Sequence, residues 1–324
     1  MNILNIEPIC YNDEAKALLD ELGKVNYQTV KSEKHLGDLL TEKSYDVLMV
    51  GLGVYISQKI LKAAKDLKWI VTPTTGLTHI DLDAAKGAGI EVVSLKGETD
   101  FLETIHTTAE HCWGLLLSLV RFIPKAHSDI VEGGYWRRSQ FLGRELSGKT
   151  LGIIGCGRLG RKVATYGLAF GMNVSAYEIS DESKNKSPKG VQFISLDSLL
   201  ANSDIVSLHI PCNKRTEGFF SRDCIEKMKE KSFFINTARG ELVDENALYD
   251  AVEIGKISGV ALDVLQDDSS WTDRIPEDNK WLSLVKKGKN ILLTPHIGGY
   301  SQEPVEKTRF YVAKKLLKNI ENTK

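Results

Sequence analysis

Apolar residues in this chain follow two rhythms that take turns. Short, mainly apolar runs, suited to buried strands, fall at residues 47–50, 69–72 and 90–93, and again at 205–209, 232–236, 259–263 and 291–294. Between them lie stretches with helical spacing, such as 13–22 and 57–64, and the first residues read as an opening strand. This alternation predicts an α/β architecture on parallel sheets, since each parallel connection needs a crossover. The longest amphipathic pattern covers 104–122, where Trp113, Leu116, Leu117 and Val120 recur at helical spacing. A polar segment with Gly133, Gly134 and Trp136 follows, and 180–190 reads as a surface loop. The last pattern, 302–318, is helical with a basic end that suits the helix dipole.

One strand-like run ends in a glycine motif. Gly155, Gly157 and Gly160 form G-x-G-x-x-G directly after the apolar residues 151–154. Gly155 permits the tight turn, Gly157 lets a pyrophosphate approach the backbone, and Gly160 lets the next helix pack on the sheet. The helix N-terminus then offers free N–H groups to phosphate. A helix at 163–170 and a second strand at 172–177 follow, closed by Glu178. An acidic residue about 20 positions past the glycines suits a ribose hydroxyl, which together predicts a dinucleotide site. Glu178 favours NAD over NADP, because its charge repels a 2′-phosphate and 179–181 offer no arginine.

The motif sits mid-chain, so one α/β domain is expected to be inserted in another. The expected boundaries are 1–102 and 293–324 for a substrate domain and 103–292 for the cofactor domain, with the active site in the cleft.

Composition changes this picture little. The 324 residues suffice for two domains, and 42% hydrophobic with 26% charged residues is ordinary for a globular protein. A formal net charge of −1 gives no case for nucleic acid or an anionic membrane. No apolar run approaches the ~18 residues that span a bilayer, and the N-terminus lacks a signal-peptide pattern. The five cysteines, Cys10, Cys112, Cys156, Cys212 and Cys224, are scattered without C-x-x-C spacing. That argues against a disulfide framework or a metal site and for a cytoplasmic location.

Three further strand ends carry chemistry. Arg239 follows the run 232–236, Asp263 closes 259–263 with Asp267 and Asp268 behind it, and His296 follows 291–294. In a doubly wound sheet these ends converge on one crevice. The set suits reduction of a 2-oxo acid: Arg239 orients the substrate carboxylate and carbonyl, His296 donates the proton, and a carboxylate holds His296.

Together these segments resemble the D-isomer-specific 2-hydroxyacid dehydrogenases, a family that includes phosphoglycerate, glycerate and D-lactate dehydrogenases. The matching stretches are 80–86, 109–111, 151–160, 209–211 with Thr216, 235–240, 263–264 and 294–299, in order along nearly the whole chain. The resemblance implies two doubly wound parallel-sheet domains, a Rossmann cofactor domain inserted into a flavodoxin-like substrate domain. It implies NAD contacts at Gly155, Gly157, Arg158, Leu159, Gly160, Glu178, His209, Pro211, Thr216, Thr237, Ala238 and Asp263. It also implies catalytic Arg239 and His296, a small-molecule 2-hydroxy or 2-oxo acid as substrate, and a homodimer made largely through the cofactor domains, with the helix around Trp113 near that interface.

Three departures stand out. Where the family usually has glutamate then proline, this chain has Asp268 then Ser269, Ser270 and Trp271. Either Asp268 or Asp267 serves, and a weaker pairing would shift the pH optimum downward. The substrate loop reads Thr74-Thr-Gly-Leu-Thr-His79, where backbone N–H groups of Thr75 and Gly76 suit a substrate carboxylate and His79 is either a contact or a structural residue. Lys96 stands where the family has proline, in a longer loop. It either faces the cleft and favours an acidic or phosphorylated substrate, or is solvated. The competing reading is a catalytically weak, NAD(H)-sensing binding protein on the same fold. A methyltransferase with a glycine-rich loop predicts no strand-end Arg/His pair and fits poorly.

Overall fold

The computed structural model describes the chain except residues 10, 31, 269, 270, 272, 273 and 324. Cys10 and the serines after Asp268 therefore lie outside the described residues. Two compact units emerge. The first comprises Met1–Ile105, Ser269–Ile275 and Tyr300–Lys324, and the second His106–Asp268 and Pro276–Gly299.

The first unit holds β1 (Asn2–Asn5), β2 (Lys24–Tyr27), β3 (Val47–Met49), β4 (Trp69–Val71) and β5 (Glu91–Val93). All pair in parallel, in the order β2-β1-β3-β4-β5, a flavodoxin-like winding. Successive strand residues face opposite sides, so the sheet builds two cores. Leu4, Leu48 and Ile70 pack with Leu36, Leu40, Ile60 and Leu61 on one face. Ile3, Val47, Met49 and Val71 pack with Ala15, Leu19, Val312 and Leu316 on the other. Helix starts are set by side-chain caps: Asn12, Ser57 and Asp81 each accept a backbone N–H three residues on.

The second unit holds β6 (Thr150–Ile154), β7 (Asn173–Tyr177), β8 (Val191–Phe193), β9 (Ile205–Leu208), β10 (Ser232–Asn236), β11 (Ile257–Leu262) and β12 (Ile291–Leu293). Its parallel sheet runs β12-β11-β10-β9-β6-β7-β8, the Rossmann winding. The order reverses between β6 and β9, which is the switch point where such sheets bind ligands. The core on one face joins Leu151, Ile153, Val174, Ala176 and Ile235 to the helix Thr107–Val120. Trp113 is buried in it, against Tyr166 and Phe170. The expected α/β class with two doubly wound parallel sheets is what the chain adopts.

Several local expectations need correction. The surface loop at 180–190 contains a short helix, Asp181–Asn185, begun by a Ser180 cap. The long loop after Ser94 contains another, Thr99–Glu103. The polar segment after Phe122 opens with a helix, Ile123–Gly133, that buries none of its residues. The final helix runs to Thr323, so its last turn carries no basic residue and the expected match to the dipole is absent.

Candidate functional site

Every strand of the second sheet runs the same way, so the residues just past each strand share one edge. Gly155 follows β6, Glu178 follows β7, His209 follows β9, Arg239 lies three residues past β10, Asp263 follows β11 and His296 lies three past β12. Arg239 and His296 are thus two strand positions apart, roughly 10 Å along the sheet.

The glycine loop is built as its spacing predicts. Gly155 has φ +88°, and a Cβ there would meet the His209 carbonyl at 2.9 Å. Gly157 caps the helix Arg158–Ala169, and a Cβ on it would meet nothing within 4 Å. That open space above a twelve-residue helix start fits a pyrophosphate. The Glu178 carboxylate accepts the N–H groups of Cys156 and Ser180, both at 2.8 Å, which ties β7 to the loop. Beside it, the His209 ring bonds Ser207 Oγ at 2.8 Å through Nε2, while its buried Nδ1 has no partner. Burial pushes its pKa down to about 4, so the ring is neutral. Thr237 Oγ1 is likewise buried without a partner. Thr216 Oγ1 donates to the Pro211 carbonyl at 2.7 Å, closing the loop after β9. Open space and unpartnered polar atoms at the switch point fit a dinucleotide.

Arg239 is held by a residue the sequence did not single out. Buried Asn236 donates to the Arg239 carbonyl at 2.8 Å and accepts the Ala238 N–H at 2.9 Å. Arg239 Nη1 itself donates to the Ala238 carbonyl at 2.7 Å.

His296 adopts a left-handed conformation, φ +54°, uncommon for a residue with a Cβ. Its N–H donates to the Asp263 carbonyl at 2.8 Å. The Asp263 carboxylate fixes the rest of that loop: it accepts Thr294 Oγ1 at 2.6 Å and the N–H groups of Ile297 and Gly298. His111 Nε2 completes the set at 3.1 Å. Burial alone would raise the Asp263 pKa, but the bonds from His111, Thr294 and Ile297 outweigh it and hold the pKa below the usual carboxylate range. The side chain is 1% exposed, so in this structure it serves its own loop. His111 belongs to the Ala-Glu-His motif, which was the signal for it.

The His296 ring meets Asp268: Nδ1 to Oδ2 is 3.2 Å. The shorter acid therefore reaches the imidazole directly. Asp267 is the left-handed residue of the turn beside it, φ +62°, and is exposed.

In the first unit, His79 is buried and bonds Thr72 Oγ1 at 3.1 Å, as a structural residue does. Thr75 is exposed, and Thr74 Oγ1 donates to the Gly76 carbonyl at 2.8 Å. Lys96 is exposed. Among the described residues no group of three or more His, Cys, Asp or Glu could hold a metal, and no helix is long and apolar enough to cross a membrane.

Residues 113–298 match the family model described as D-isomer specific 2-hydroxyacid dehydrogenase, NAD binding domain. The chain belongs to the D-isomer-specific 2-hydroxyacid dehydrogenase family. Hydroxypyruvate reductase of Thermotoga maritima is 37% identical over 275 residues, 85% of each chain. D-3-phosphoglycerate dehydrogenase of Archaeoglobus fulgidus is 36% identical over 305 residues, 94% of this chain and 54% of that one. This dehydrogenase-family chain thus spans about half the length of the phosphoglycerate dehydrogenases it matches. Among solved structures, D-lactate dehydrogenase of Aquifex aeolicus, complexed with NAD and lactic acid, superposes with TM-score 0.81 at 31% identity, covering 99% of this chain and 96% of that one. The family's cofactor is NAD, and the second unit carries its binding domain.

Proposed function

We propose that this chain is an NAD-dependent oxidoreductase that interconverts a D-2-hydroxy acid and its 2-oxo acid. The observation that carries the reading is the His296–Asp268 pair, 3.2 Å apart, on the same sheet edge as Arg239 and the glycine loop. NAD, when bound, supplies or accepts the hydride. The contacts we assign to it are Gly155, Gly157, Arg158, Leu159, Gly160, Glu178, His209, Pro211, Thr216, Thr237 and Ala238; Asp263, expected among them, is 1% exposed and instead holds the 294–298 loop. The fixed carboxylate of Glu178 supports NAD over NADP, because a 2′-phosphate there would face a like charge.

Arg239 binds the substrate carboxylate and polarises the adjacent carbonyl. With Nδ1 committed to Asp268, His296 presents Nε2 to the substrate. There it delivers a proton to the carbonyl oxygen during reduction and removes one from the hydroxyl during oxidation. Asp268 fixes the ring's orientation. The first unit serves as the substrate domain, with the backbone at Thr75 and Gly76 taking the substrate carboxylate. Exposed Lys96 favours a phosphorylated or acidic substrate. We assign the chain to the cytoplasm, in keeping with its four free described cysteines, and to a homodimer.

The test is NADH oxidation against a panel of 2-oxo acids with and without a phosphate group. Turnover should appear on at least one, and His296→Gln or Arg239→Gln should lower kcat/KM by about a thousandfold. NADH binding without oxidation by any 2-oxo acid would sink the enzyme reading in favour of an NAD(H)-sensing protein.

A further inference from the structure

Asp268 closes a tight turn. Its N–H donates to the Leu265 carbonyl at 3.2 Å, and its Oδ2 accepts both the Leu265 N–H, at 3.4 Å, and His296 Nδ1, at 3.2 Å. Asp267, third in the turn, has a positive φ, a position that favours glycine or asparagine. The turn also has an external hold.

That hold is Glu245, which no part of the proposed chemistry uses. Its side chain is 10% exposed at the start of the helix Glu245–Glu253. Oε1 accepts the Gln266 N–H at 2.6 Å, and Oε2 accepts the indole N–H of fully buried Trp281 at 3.1 Å. Lys280 Nζ lies 3.9 Å from Oε2. The turn is pinned from a second side by Gly240, next to Arg239. A Cβ there would lie 2.1 Å from the Leu265 carbonyl carbon and 2.3 Å from the Gln266 nitrogen. A buried carboxylate with both oxygens engaged by rigid donors is costly to disturb, because any lost partner leaves it unsatisfied.

We propose that Glu245 is a positioning residue: its buried carboxylate, anchored by Trp281, holds the 265–268 turn so that Asp268 faces His296. The shorter acid makes this hold necessary, since aspartate has one fewer rotatable bond than glutamate to correct a displaced backbone. The clamp rests on the roles given above to His296 and Asp268.

The ring nitrogens of His296 are followed by isotope-labelled NMR in the full chain, with and without NAD. The variants are Glu245→Gln, Trp281→Phe, Asp268→Asn and the double variant Glu245→Gln/Asp268→Asn. Glu245→Gln should move the His296 signals in the direction Asp268→Asn moves them, and should add nothing in the double variant. Trp281→Phe, which removes the indole N–H and also shrinks a fully buried ring, should move the signals in the same direction. With the best 2-oxo acid, Glu245→Gln should lower kcat about tenfold while the NADH KM changes less than about twofold. Unmoved His296 signals in both Glu245→Gln and Trp281→Phe, alongside a lower Tm, would overturn the proposal and leave Glu245 a purely structural residue. A wild-type chain that turns over no 2-oxo acid but shows the ring coupling would defeat the dehydrogenase reading and leave the clamp standing.

Discussion

Two glycines of one motif should respond in opposite ways to the same substitution. A Cβ on Gly157 meets nothing and its φ of −70° suits any residue, so Gly157→Ala should fold with an unchanged Tm. It should still weaken NADH binding about tenfold or more, read by fluorescence titration, because the methyl occupies the space the pyrophosphate needs. A Cβ on Gly160 lies 2.1 Å from the Gly155 carbonyl oxygen. Gly160→Ala should therefore lower the Tm itself, since helix and strand must separate. His209 makes a pH prediction. Its folded pKa of about 4 lies below the unfolded value near 6.5, so the unfolded chain binds the extra proton between those values. Stability from this group is complete above pH ~6.5 and is lost as pH falls toward ~4, by at most about 3 kcal/mol and less for a partly exposed residue. Urea midpoints across that window should fall more steeply for wild type than for His209→Gln; parallel curves would defeat the prediction. At this scale the sequence was informative where one side chain reports its own role. The sequence narrowed the acid to Asp267 or Asp268, and the fold sets Asp268 against the His296 ring. Glu245 was not readable, because folding alone brings Gln266 and Trp281 to it, and Asn236 was not, because it acts through the backbone of the turn it begins.

Elements were readable where burial forces a pattern. The interior strands β3, β4, β6, β9 and β10 are buried along nearly their full length, so their sequences are mainly apolar. Edge strands β2 and β8 read Lys-Val-Asn-Tyr and Val-Gln-Phe with little buried, and no run marks them. The helix Ile123–Gly133 escaped notice because it buries nothing, so no apolar face had to match a core. Its start is set by Phe122 in a left-handed conformation and by Pro124 in the first turn, signals that need no periodicity. One element depends on a buried charge. Arg309, 4% exposed in the final helix, pairs with Glu7 after β1 at 2.9 Å, and Gly51 leaves the space that the Glu7 carboxylate fills. Glu7→Gln should cost about 3 kcal/mol, because it leaves Arg309 buried without its counter-charge. Pairing it with Arg309→Met should recover most of that loss in chemical denaturation; no recovery would mean the carboxylate matters through its other neighbours.

At the scale of the whole molecule, the second unit carries a run of exposed apolar residues. Ile130, Val131, Tyr135, Trp136 and Leu142 are exposed along one short stretch, Trp136 and Leu142 at 88% each. We propose that these residues meet a second copy of the chain in the homodimer proposed above. Light scattering should give a dimer for wild type and a monomer for the double variant Trp136→Glu/Leu142→Glu; a wild-type monomer at micromolar concentration would reject the assignment. The insertion of one doubly wound sheet within the chain of the other was readable from a glycine motif placed mid-chain. The first unit's core also needs Val312, Ala313 and Leu316, about two hundred residues beyond the last of its strands. During synthesis on the ribosome, the part of this sheet face that Val312, Ala313 and Leu316 cover must therefore stay open until the final helix emerges, while the second unit can already fold. The nascent N-terminal segment is then the aggregation-prone stage of this protein's biogenesis, and the one where a chaperone has most to protect.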